Sequence, residues 1–274
     1  MSSSPAACLA PSPPRGDDPE VASSLAKISN CGPRYTCPMC GRFTLTNENA
    51  QWIAEQLGVS VDELFEESWK PRWNVAPMQE HWIVRARTAE QRELVRATWG
   101  LVNAWDSDRS GAARKINARS ETIEERLSYR SAFRTTRCII PADGFYEWTG
   151  KRDSRRPFWF HHGDDSLLMF GGLYVEARLS GETEPITTFT IVTTDASGLV
   201  GQIHDRMPVI LADDQAVEEW LAPSQQPDRL RALLRPAPED SLVARAVSRR
   251  VNSVAVDDPA CLLEAESETQ GALI

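Results

Sequence analysis

Eight short strand-like runs dominate this sequence, and several of them are rich in β-branched and aromatic residues and bordered by turn-forming residues. Such runs are typical of β-strands, and here they follow one another rather than alternating regularly with helices. They cover residues 81–86, 94–101, 137–141, 144–148, 157–161, 167–176, 187–194 and 207–211. Strands in series with few helices predict an α+β domain, built on a curved, mainly antiparallel β-sheet or barrel with peripheral helices.

Four helices are predicted, three of them from the residues at their ends. Residues 48–57 follow Asn47, a suitable N-cap, and precede Gly58, a common stop signal. Residues 126–133 follow a capping box formed by Thr122 and Glu125. Asp213 precedes a helix over 215–221, and the fourth helix covers 227–234.

The first 38 residues differ in composition from the rest of the chain. They hold 7 of the 18 prolines, whereas all nine tryptophans come later. A segment of this kind buries too little apolar surface to offset its loss of conformational entropy, so we expect 1–38 to be a disordered leader. The folded domain is expected over 39–265, followed by a polar tail over 266–274.

Charge and hydropathy exclude two classes of protein. No stretch approaches about 18 consecutive apolar residues, which excludes an integral membrane protein. The net charge of −9 argues against a protein coated with positive charge. Residues 109–156 nevertheless hold 12 Lys and Arg against 6 Asp and Glu. The first segment lacks the basic-then-apolar order of a secretory signal, and we expect no disulfide framework, so we expect a reducing, cytoplasmic compartment.

Cys40 is a candidate for covalent chemistry. A chain that starts at Met39 and loses that residue would expose the Cys40 amine and thiol on adjacent carbons. Their ordinary pKa values, about 7.7–8 and about 8.5, make both nucleophilic near neutrality. An aldehyde would form a Schiff base with the amine and then close to a thiazolidine, because the second step is intramolecular. The alternative is a cysteine-containing leader without special chemistry.

Two other uses of the cysteines compete with this one. Cys8, Cys31, Cys37 and Cys40 could supply four thiolates to zinc, but their spacings match no compact zinc-binding pattern. A redox Cys-x-x-Cys pair normally lies between a strand and a helix, whereas proline-rich coil precedes this one. We therefore expect no metal and no cofactor.

Glu147 and His204 are candidates for proton transfer. Alternation along the strand places Phe145 and Glu147 on one face, where aromatic neighbours would desolvate the carboxylate and raise its pKa. A solvent-facing glutamate is the alternative. His204 lies with Asp205 and Arg206 in a loop that leads into a strand, a usual place for functional groups. A structural loop histidine is the alternative there.

Basic, aromatic and amide side chains predict a groove that binds a nucleic-acid backbone. Arginines can clamp phosphates, and tryptophans can stack on bases. The members are Arg109, Arg114, Lys115, Arg119, Arg130, Arg134 and Arg137, with Trp99 and Trp105 close by. Asn74 and Asn117 could hold a hydroxyl or carbonyl group, and Thr194 could bind phosphate. Solvated helix arginines are the alternative for the last basic members.

Seven segments in this order resemble the SRAP family (SOS response-associated peptidase), whose members crosslink to abasic sites in DNA. Met-Cys-Gly-Arg-Phe at 39–43, Arg-Trp-Asn-Val-Ala-Pro at 72–77 and Ile-Asn-Ala-Arg-Ser-Glu-Thr at 116–122 carry much of the likeness. The others are Trp-Gly-Leu at 99–101, Pro-Ala-Asp-Gly-Phe-Tyr-Glu-Trp at 141–148, Phe-Thr-Ile-Val-Thr-Thr at 189–194 and Ile-His-Asp-Arg-Met-Pro-Val at 203–209. Together they extend from residue 39 to about residue 253.

The resemblance implies a positively charged cleft for single-stranded DNA that contains abasic sites, and we expect a monomer. Cys40 would trap the ring-opened sugar aldehyde as a thiazolidine, with Glu147 as the acid–base group and His204 assisting the Schiff-base and ring-closing steps. Asn117 would hold the deoxyribose remnant. The flanking DNA would be bound by Asn74, Arg42, Arg119, Arg206, Trp105 and Thr194. We expect the protein to be cytoplasmic and associated with the nucleoid.

One departure from the family pattern concerns the 38 residues before Met39. An internal Cys40 has an amide nitrogen, which cannot form a Schiff base. We expect that translation starts at Met39 or that the leader is removed; otherwise the protein lacks the crosslinking reaction. Two other functions stay open, a thiol peptidase that uses Cys40, His204 and Glu147, and a non-catalytic single-strand binding module.

Overall fold

The structure, a computed structural model, describes residues 40–60, 63–88, 91–150, 154–223 and 225–265. The predicted leader over 1–38 and the predicted tail over 266–274 lie outside the described residues.

Twelve β-strands form the framework of this part of the chain. The first six are β1 (Phe43–Leu45), β2 (Arg72–Val75), β3 (Glu80–Ala86), β4 (Arg92–Trp99), β5 (Asn117–Arg119) and β6 (Arg137–Ala142). The other six are β7 (Gly144–Thr149), β8 (Arg156–His162), β9 (Leu168–Ala177), β10 (Ile186–Asp195), β11 (Arg206–Pro208) and β12 (Leu242–Ala246). All eight predicted strands are present, although the last is shorter than predicted.

Five of these strands close into a barrel. Their order is β10-β4-β3-β6-β9, and β9 pairs again with β10. The β10–β4 pair is parallel, and the other four pairs are antiparallel. β11 and β5 add to β10, the first antiparallel and the second parallel. The predicted α+β class with a curved, mainly antiparallel sheet or barrel is confirmed.

A second sheet packs against the barrel. It is wholly antiparallel, with the order β12-β8-β7-β1-β2. Phe43 of β1 lies 5.2 Å from Trp99 of the barrel, and Phe145 of β7 lies 6.0 Å from Phe170, measured between ring centroids. These rings belong to one buried cluster, which joins the sheet to the barrel.

Six α-helices lie within the described residues. They are α1 (Ala50–Leu57), α2 (Glu63–Ser68), α3 (Leu127–Thr135), α4 (Gly198–Ile203), α5 (Asp214–Leu221) and α6 (Pro227–Leu233). A second buried cluster joins helical residues such as Phe133 and Trp220 to Ile139 of β6, whereas Cys138 and Ile140 belong to the first cluster. Alternate residues of β6 therefore face different cores. No helix in the described ranges is long and apolar enough to cross a bilayer.

The two ends of α1 match the prediction in part. Gly58 ends the helix as predicted, in the left-handed conformation with a φ of 62°. The N-cap is Asn49 rather than Asn47: the Asn49 side chain accepts a 2.9 Å hydrogen bond from the Trp52 nitrogen. Asn47 supports this cap by accepting a 2.8 Å hydrogen bond from the nitrogen of Asn49.

Two other helix starts were also predicted from side-chain caps, and the helix predicted over 227–234 is present as α6. Asp213 caps α5 as predicted, because its side chain accepts a 2.8 Å hydrogen bond from the Ala216 nitrogen. The predicted capping box of Thr122 and Glu125 is wrong. Residues 120–122 form a 3₁₀ turn instead, and α3 begins at Leu127 without a side-chain cap. The α2 and α4 helices, six residues each, were not predicted.

Candidate active site

The backbone nitrogen of Cys40 donates a 2.7 Å hydrogen bond to Oε1 of Glu147, 107 positions further along the chain. Cys40 lies just before β1, and Glu147 lies on β7. These strands are neighbours in the second sheet, where Phe43 pairs with Phe145. Each of the two contacting residues exposes only 2 % of its surface. The pairing of β1 with β7 therefore brings a nitrogen, a thiol and a carboxyl group together in a buried position.

Burial controls the ionisation of Glu147. Desolvation raises the pKa of its carboxyl group from 4.5 to about 7; the charge of Asp205 adds to the increase, and hydrogen bonds from Cys40 oppose it. Phe158 of β8 lies directly opposite Glu147 on the neighbouring strand. The predicted desolvated carboxyl group is confirmed, and the solvent-facing alternative is wrong. A carboxyl group with a pKa near 7 can both donate and accept protons at neutral pH.

The Cys40 side chain is a neutral thiol in this environment. Burial raises its pKa well above the ordinary value, the nearby Glu147 raises it further, and the positive charge of Arg206 opposes the increase. The thiol also hydrogen-bonds with Glu147, so one carboxyl group contacts both reactive groups of Cys40. The φ of Cys40 is 39°, a left-handed conformation that is uncommon for residues other than glycine.

His204 lies at the C-terminal end of α4, in the turn that leads to β11. The backbone nitrogen of Arg206 lies 3.0 Å from Nδ1 of His204. Oδ1 of Asp205 lies 3.0 Å from the same Nδ1. The charges of Asp205 and Arg206 both act on the Cys40 thiol, which puts this turn beside Cys40.

The helix that carries His204 is packed closely against a neighbouring loop. Gly198, its first residue, has a φ of 51°, and a Cβ atom there would lie 2.1 Å from the backbone oxygen of Glu239. Ser197 adds a 2.6 Å hydrogen bond from its Oγ to the backbone oxygen of Ala237. The position of His204 therefore depends on this contact between backbones.

We expect Gly198→Ala to lower the free energy of unfolding by about 2 kcal/mol or more, because the new methyl group meets rigid backbone. Gly181→Ala is the matched control, since Gly181 also has a positive φ of 87° but no atom within 4 Å of the position that a methyl group would take. The control should lose only about 1 kcal/mol. Urea denaturation of both variants measures the difference, and equal losses would show that backbone strain alone matters.

Arg206 is held by protein carboxylates. Its guanidinium group donates to both carboxylate oxygens of Glu121, at 2.6 and 2.9 Å, and to Asp195 at 2.7 Å. It also donates to the backbone oxygen of Thr193 at 2.7 Å. Its side chain exposes only 7 % of its surface. Arg206 thus joins β11, β10 and the turn after β5, and it could bind a phosphate only by leaving Glu121. Sequence reasoning did not identify Glu121.

Asn74 and Arg42 are bound to each other beside Cys40. Oδ1 of Asn74 accepts a 2.9 Å hydrogen bond from Arg42, and its Nδ2 donates to the backbone oxygens of Ser253 and Val256 at 3.0 and 2.6 Å. Asn74 is fully buried, whereas Arg42 is half-buried and also donates to the backbone oxygen of Val251 at 2.8 Å. The amide of Asn74 therefore positions Arg42 and the segment 251–256.

The strand β5 places Asn117 and Arg119 beside β10. They pair with Ile191 and Thr193, respectively. The hydroxyl group of Tyr129 donates a 3.1 Å hydrogen bond to the backbone oxygen of Asn117, and Arg119 is exposed. Both predicted residues therefore lie on a strand next to the one that Arg206 contacts.

The two threonines at the end of β10 point in opposite directions. Oγ1 of Thr194, the predicted residue, lies 3.3 Å from the backbone oxygen of Leu234 and donates to it. Oγ1 of Thr193 is buried and has no hydrogen-bond partner in the described part of the chain. Thr193 shares its strand face with Ile191, which belongs to the same buried cluster as Phe145. Alternation along β10 could have selected Thr193 from the sequence.

The predicted groove loses two of its members. Trp99 is fully buried, and its Nε1 donates a 2.8 Å hydrogen bond to the backbone oxygen of Ile116. Arg137 is also buried and donates to backbone oxygens at the ends of α3 and α5. The prediction that Trp99 and Arg137 line the groove is wrong, because both side chains are buried and bound to backbone oxygens. Trp105, by contrast, exposes 64 % of its surface.

The zinc hypothesis cannot be followed through the structure, because Cys8, Cys31 and Cys37 lie outside the described residues. Within those residues, no group of three or more His, Cys, Asp and Glu side chains is placed to hold a metal ion.

Comparison with known proteins adds four findings. The model of the SOS response associated peptidase (SRAP) family matches residues 39–254. The abasic site processing protein YoqW of Bacillus subtilis is 40% identical over 226 residues, which cover 81% of this chain and 97% of YoqW. The abasic site processing protein HMCES of Gallus gallus is 32% identical over 233 residues, which cover 74% of this chain and 69% of HMCES. A crystal structure of a protein from Bacteroides thetaiotaomicron matches with a TM-score of 0.71 and 25% identity, over 81% of this chain and 99% of that one.

Proposed function

This chain belongs to the SOS response associated peptidase family, and we propose that it processes abasic sites in single-stranded DNA through a covalent bond to Cys40. Relatives that match most of the chain are named abasic site processing proteins. An abasic site exposes an aldehyde when its sugar ring opens. The substrate therefore carries the electrophile that a neighbouring amine and thiol can capture.

The observation that carries the proposal is the 2.7 Å hydrogen bond between the Cys40 nitrogen and Glu147. It joins the nucleophilic atom to a group whose pKa, about 7, suits proton transfer. Because the same carboxyl group hydrogen-bonds with the thiol, it can serve both bond-forming steps. The buried position strengthens these interactions by excluding water.

The reaction balances without an oxidant or a metal. The free Cys40 amine attacks the aldehyde carbon to give a carbinolamine, and Glu147 donates a proton to the departing hydroxyl group, which leaves as water. The thiol sulfur then adds to the carbon of the Schiff base, and its proton passes through Glu147 to the nitrogen. One water molecule is released, and a thiazolidine links the protein to the DNA.

The remaining residues bind and orient the DNA in this proposal. His204 offers its Nε2–H to a sugar oxygen, and Asn117 and Thr193 supply polar groups from the two adjoining strands. Arg42, Arg119 and Trp105 contact the flanking nucleotides. Asn74 and Arg206 act as positioning residues, the first for Arg42 and the second for the turn that carries His204.

The reaction requires a free α-nitrogen on Cys40. We propose that the active protein begins at Cys40, through a start at Met39 or through cleavage of the bond between residues 39 and 40. The second candidate function of this site is a thiol peptidase activity, which would cleave that bond. The contact of Glu147 with both the nitrogen and the thiol of Cys40 favours it, since peptide hydrolysis also needs a proton on the leaving nitrogen.

Cys40→Ala should abolish the adduct between the protein and an abasic oligonucleotide, measured on a denaturing gel. Cys261→Ala is the matched control, because Cys261 is also a buried free cysteine and should leave the adduct unchanged. Intact mass spectrometry should give a free protein lighter than the 30.6 kDa of the full chain. The adduct should have the summed mass of this protein and the oligonucleotide, less one water molecule.

Two results would contradict the proposal. One is an adduct that persists in Cys40→Ala, and the other is crosslinking by a chain that keeps residues 1–39. A non-catalytic binding module would instead show salt-sensitive DNA binding, no adduct in denaturant, and no effect of Cys40→Ser.

A further inference from the structure

We propose that Arg126, Arg130 and Arg134, here called the arginine stripe, bind the phosphate backbone of single-stranded DNA beyond the abasic nucleotide. The inference rests on the proposed function, which supplies the partner, and extends it to a surface outside the active site. These three residues differ from the other arginines of the basic region in lying four positions apart along α3 and its N-cap.

The arginine stripe follows one side of α3. Its members are four positions apart, which places them about 6 Å from one another along the helix axis. All three are exposed, whereas Ala132 and Phe133 form the buried face of the helix. The spacing is comparable to that of successive phosphates in an extended strand. One helix can therefore contact several phosphates in a row.

Within the described part of the chain, the arginine stripe lacks hydrogen-bond and ion-pair partners, unlike most of the arginines there. None of its guanidinium groups makes a hydrogen bond or an ion pair with another described residue. Arg109 of the basic region is paired with Glu182, and Arg206, outside that region, is paired with Glu121 and Asp195.

The nearby carboxylate of Glu124 is already engaged. Arg134 acts on it electrostatically, but Arg231 holds it with a 2.6 Å ion pair. In a chain with a net charge of −9, three adjacent cations that form no ion pair with a described residue create a local positive field that suits a polyanion.

The helix is attached to the strand that carries Asn117. Tyr129, between the first two members of the stripe, donates its hydroxyl hydrogen to the backbone oxygen of Asn117 at 3.1 Å. Arg119, at the end of the same strand, is exposed and begins the short connection to Arg126. DNA that contacts Asn117 and Arg119 can therefore continue along the arginine stripe. A protein partner fits less well, because Leu127 is the one large apolar side chain of α3 that is exposed.

The test compares the salt dependence of DNA binding in two double variants. Arg130→Gln with Arg134→Gln removes two charges from α3, and glutamine keeps the helix propensity close to that of arginine. Arg96→Gln with Arg178→Gln is the matched control, since both of these arginines are exposed and lie on β4 and after β9. Fluorescence anisotropy with undamaged oligonucleotides of about 5 and about 20 nucleotides gives Kd at several salt concentrations.

We expect the stripe variant to bind the longer oligonucleotide about tenfold more weakly at 0.1 M salt, with a slope of log K against log salt smaller by about 1.4. The short oligonucleotide should bind all proteins equally, and lysine at both positions should restore most of the slope. An unchanged slope, or the same loss in the control variant, would overturn the proposal. Crosslinking of a short abasic oligonucleotide tests the active site separately, because the stripe variant should still form the adduct when saturated.

Discussion

Replacement of Glu147 by glutamine is expected to slow formation of the covalent DNA adduct by about 10²–10⁴-fold, the usual loss when a general acid–base group is removed. Glutamine keeps an oxygen that can accept the 2.7 Å hydrogen bond from the Cys40 nitrogen, but it cannot release or take up a proton. Single-turnover measurements with a saturating abasic oligonucleotide, quenched in denaturant, report this rate.

The pH dependence of the same rate identifies the group that donates the proton during adduct formation. The wild-type rate should rise as the Cys40 amine loses its proton, with an ordinary pKa of about 8, and fall as Glu147 loses its own at a pKa of about 7. The falling limb should be absent in Glu147→Gln. A falling limb that persists in the variant would assign that proton to another residue.

Stability gives a second measurement of the Glu147 pKa, independent of activity. Folding raises this pKa from 4.5 to about 7, so the contribution of Glu147 to stability is fully present below pH 4.5 and is lost as the pH rises through 7. The shift corresponds to about 3 kcal/mol. Glu147→Gln should therefore gain stability relative to wild type by about this amount between pH 4 and pH 8, as measured by urea denaturation. Glu125→Gln, at an exposed position, should show no such gain.

Arg137→Met is expected to lower the free energy of unfolding by about 3 kcal/mol or more. The guanidinium group of Arg137 donates to the backbone oxygens of Phe133 and Arg134, at 2.8 and 2.6 Å, and to that of Trp220 at 2.6 Å. It also donates to the backbone oxygen of Ala222. These oxygens belong to the C-terminal ends of two helices, where carbonyl groups have no partners within the helix. Methionine fills a similar volume but leaves them unsatisfied in a buried position.

The size of this effect can be compared with that of a neighbouring arginine. Arg134→Met makes the same chemical change three positions earlier, but Arg134 is exposed, so the loss should stay within about 0.5 kcal/mol. The loss of stability in Arg137→Lys should lie between these two values. An ammonium group has three donors and cannot reach all four oxygens in the guanidinium geometry. Urea denaturation measures all three. Similar losses for Arg137→Met and Arg134→Met would refute the capping role.

Between residues 109 and 156, Arg137 and the arginine stripe look alike in the sequence but differ in the structure. Arg137 is buried and joins the ends of α3 and α5, whereas the arginine stripe on the adjacent helix faces solvent. A single charged region thus contributes both to the stability of the barrel and to the proposed DNA-binding surface. Measuring stability and salt-dependent binding on the same variants separates the two contributions.

The strand pattern was predictable because it depends on neighbouring residues. Alternation alone placed Glu147 on the same face as Phe145, and the desolvated environment that it predicted is present. Helix ends were predicted where a single side chain decides them, as at Gly58 and Asp213. The capping box at Thr122 failed because its residues form a separate 3₁₀ turn.

The sequence by itself determined the fold class, most of the strands and the types of residue that can perform the proposed chemistry, since these depend on local periodicity and on functional groups. Only the tertiary structure decided which groups meet. The contact of Cys40 with Glu147 spans 107 positions and depends on the pairing of β1 with β7. Likewise, the burial of Arg137 and the exposure of the arginine stripe depend on how α3 packs against the barrel, because the cost of burying a charge is set by its surroundings in space rather than by its neighbours in the chain.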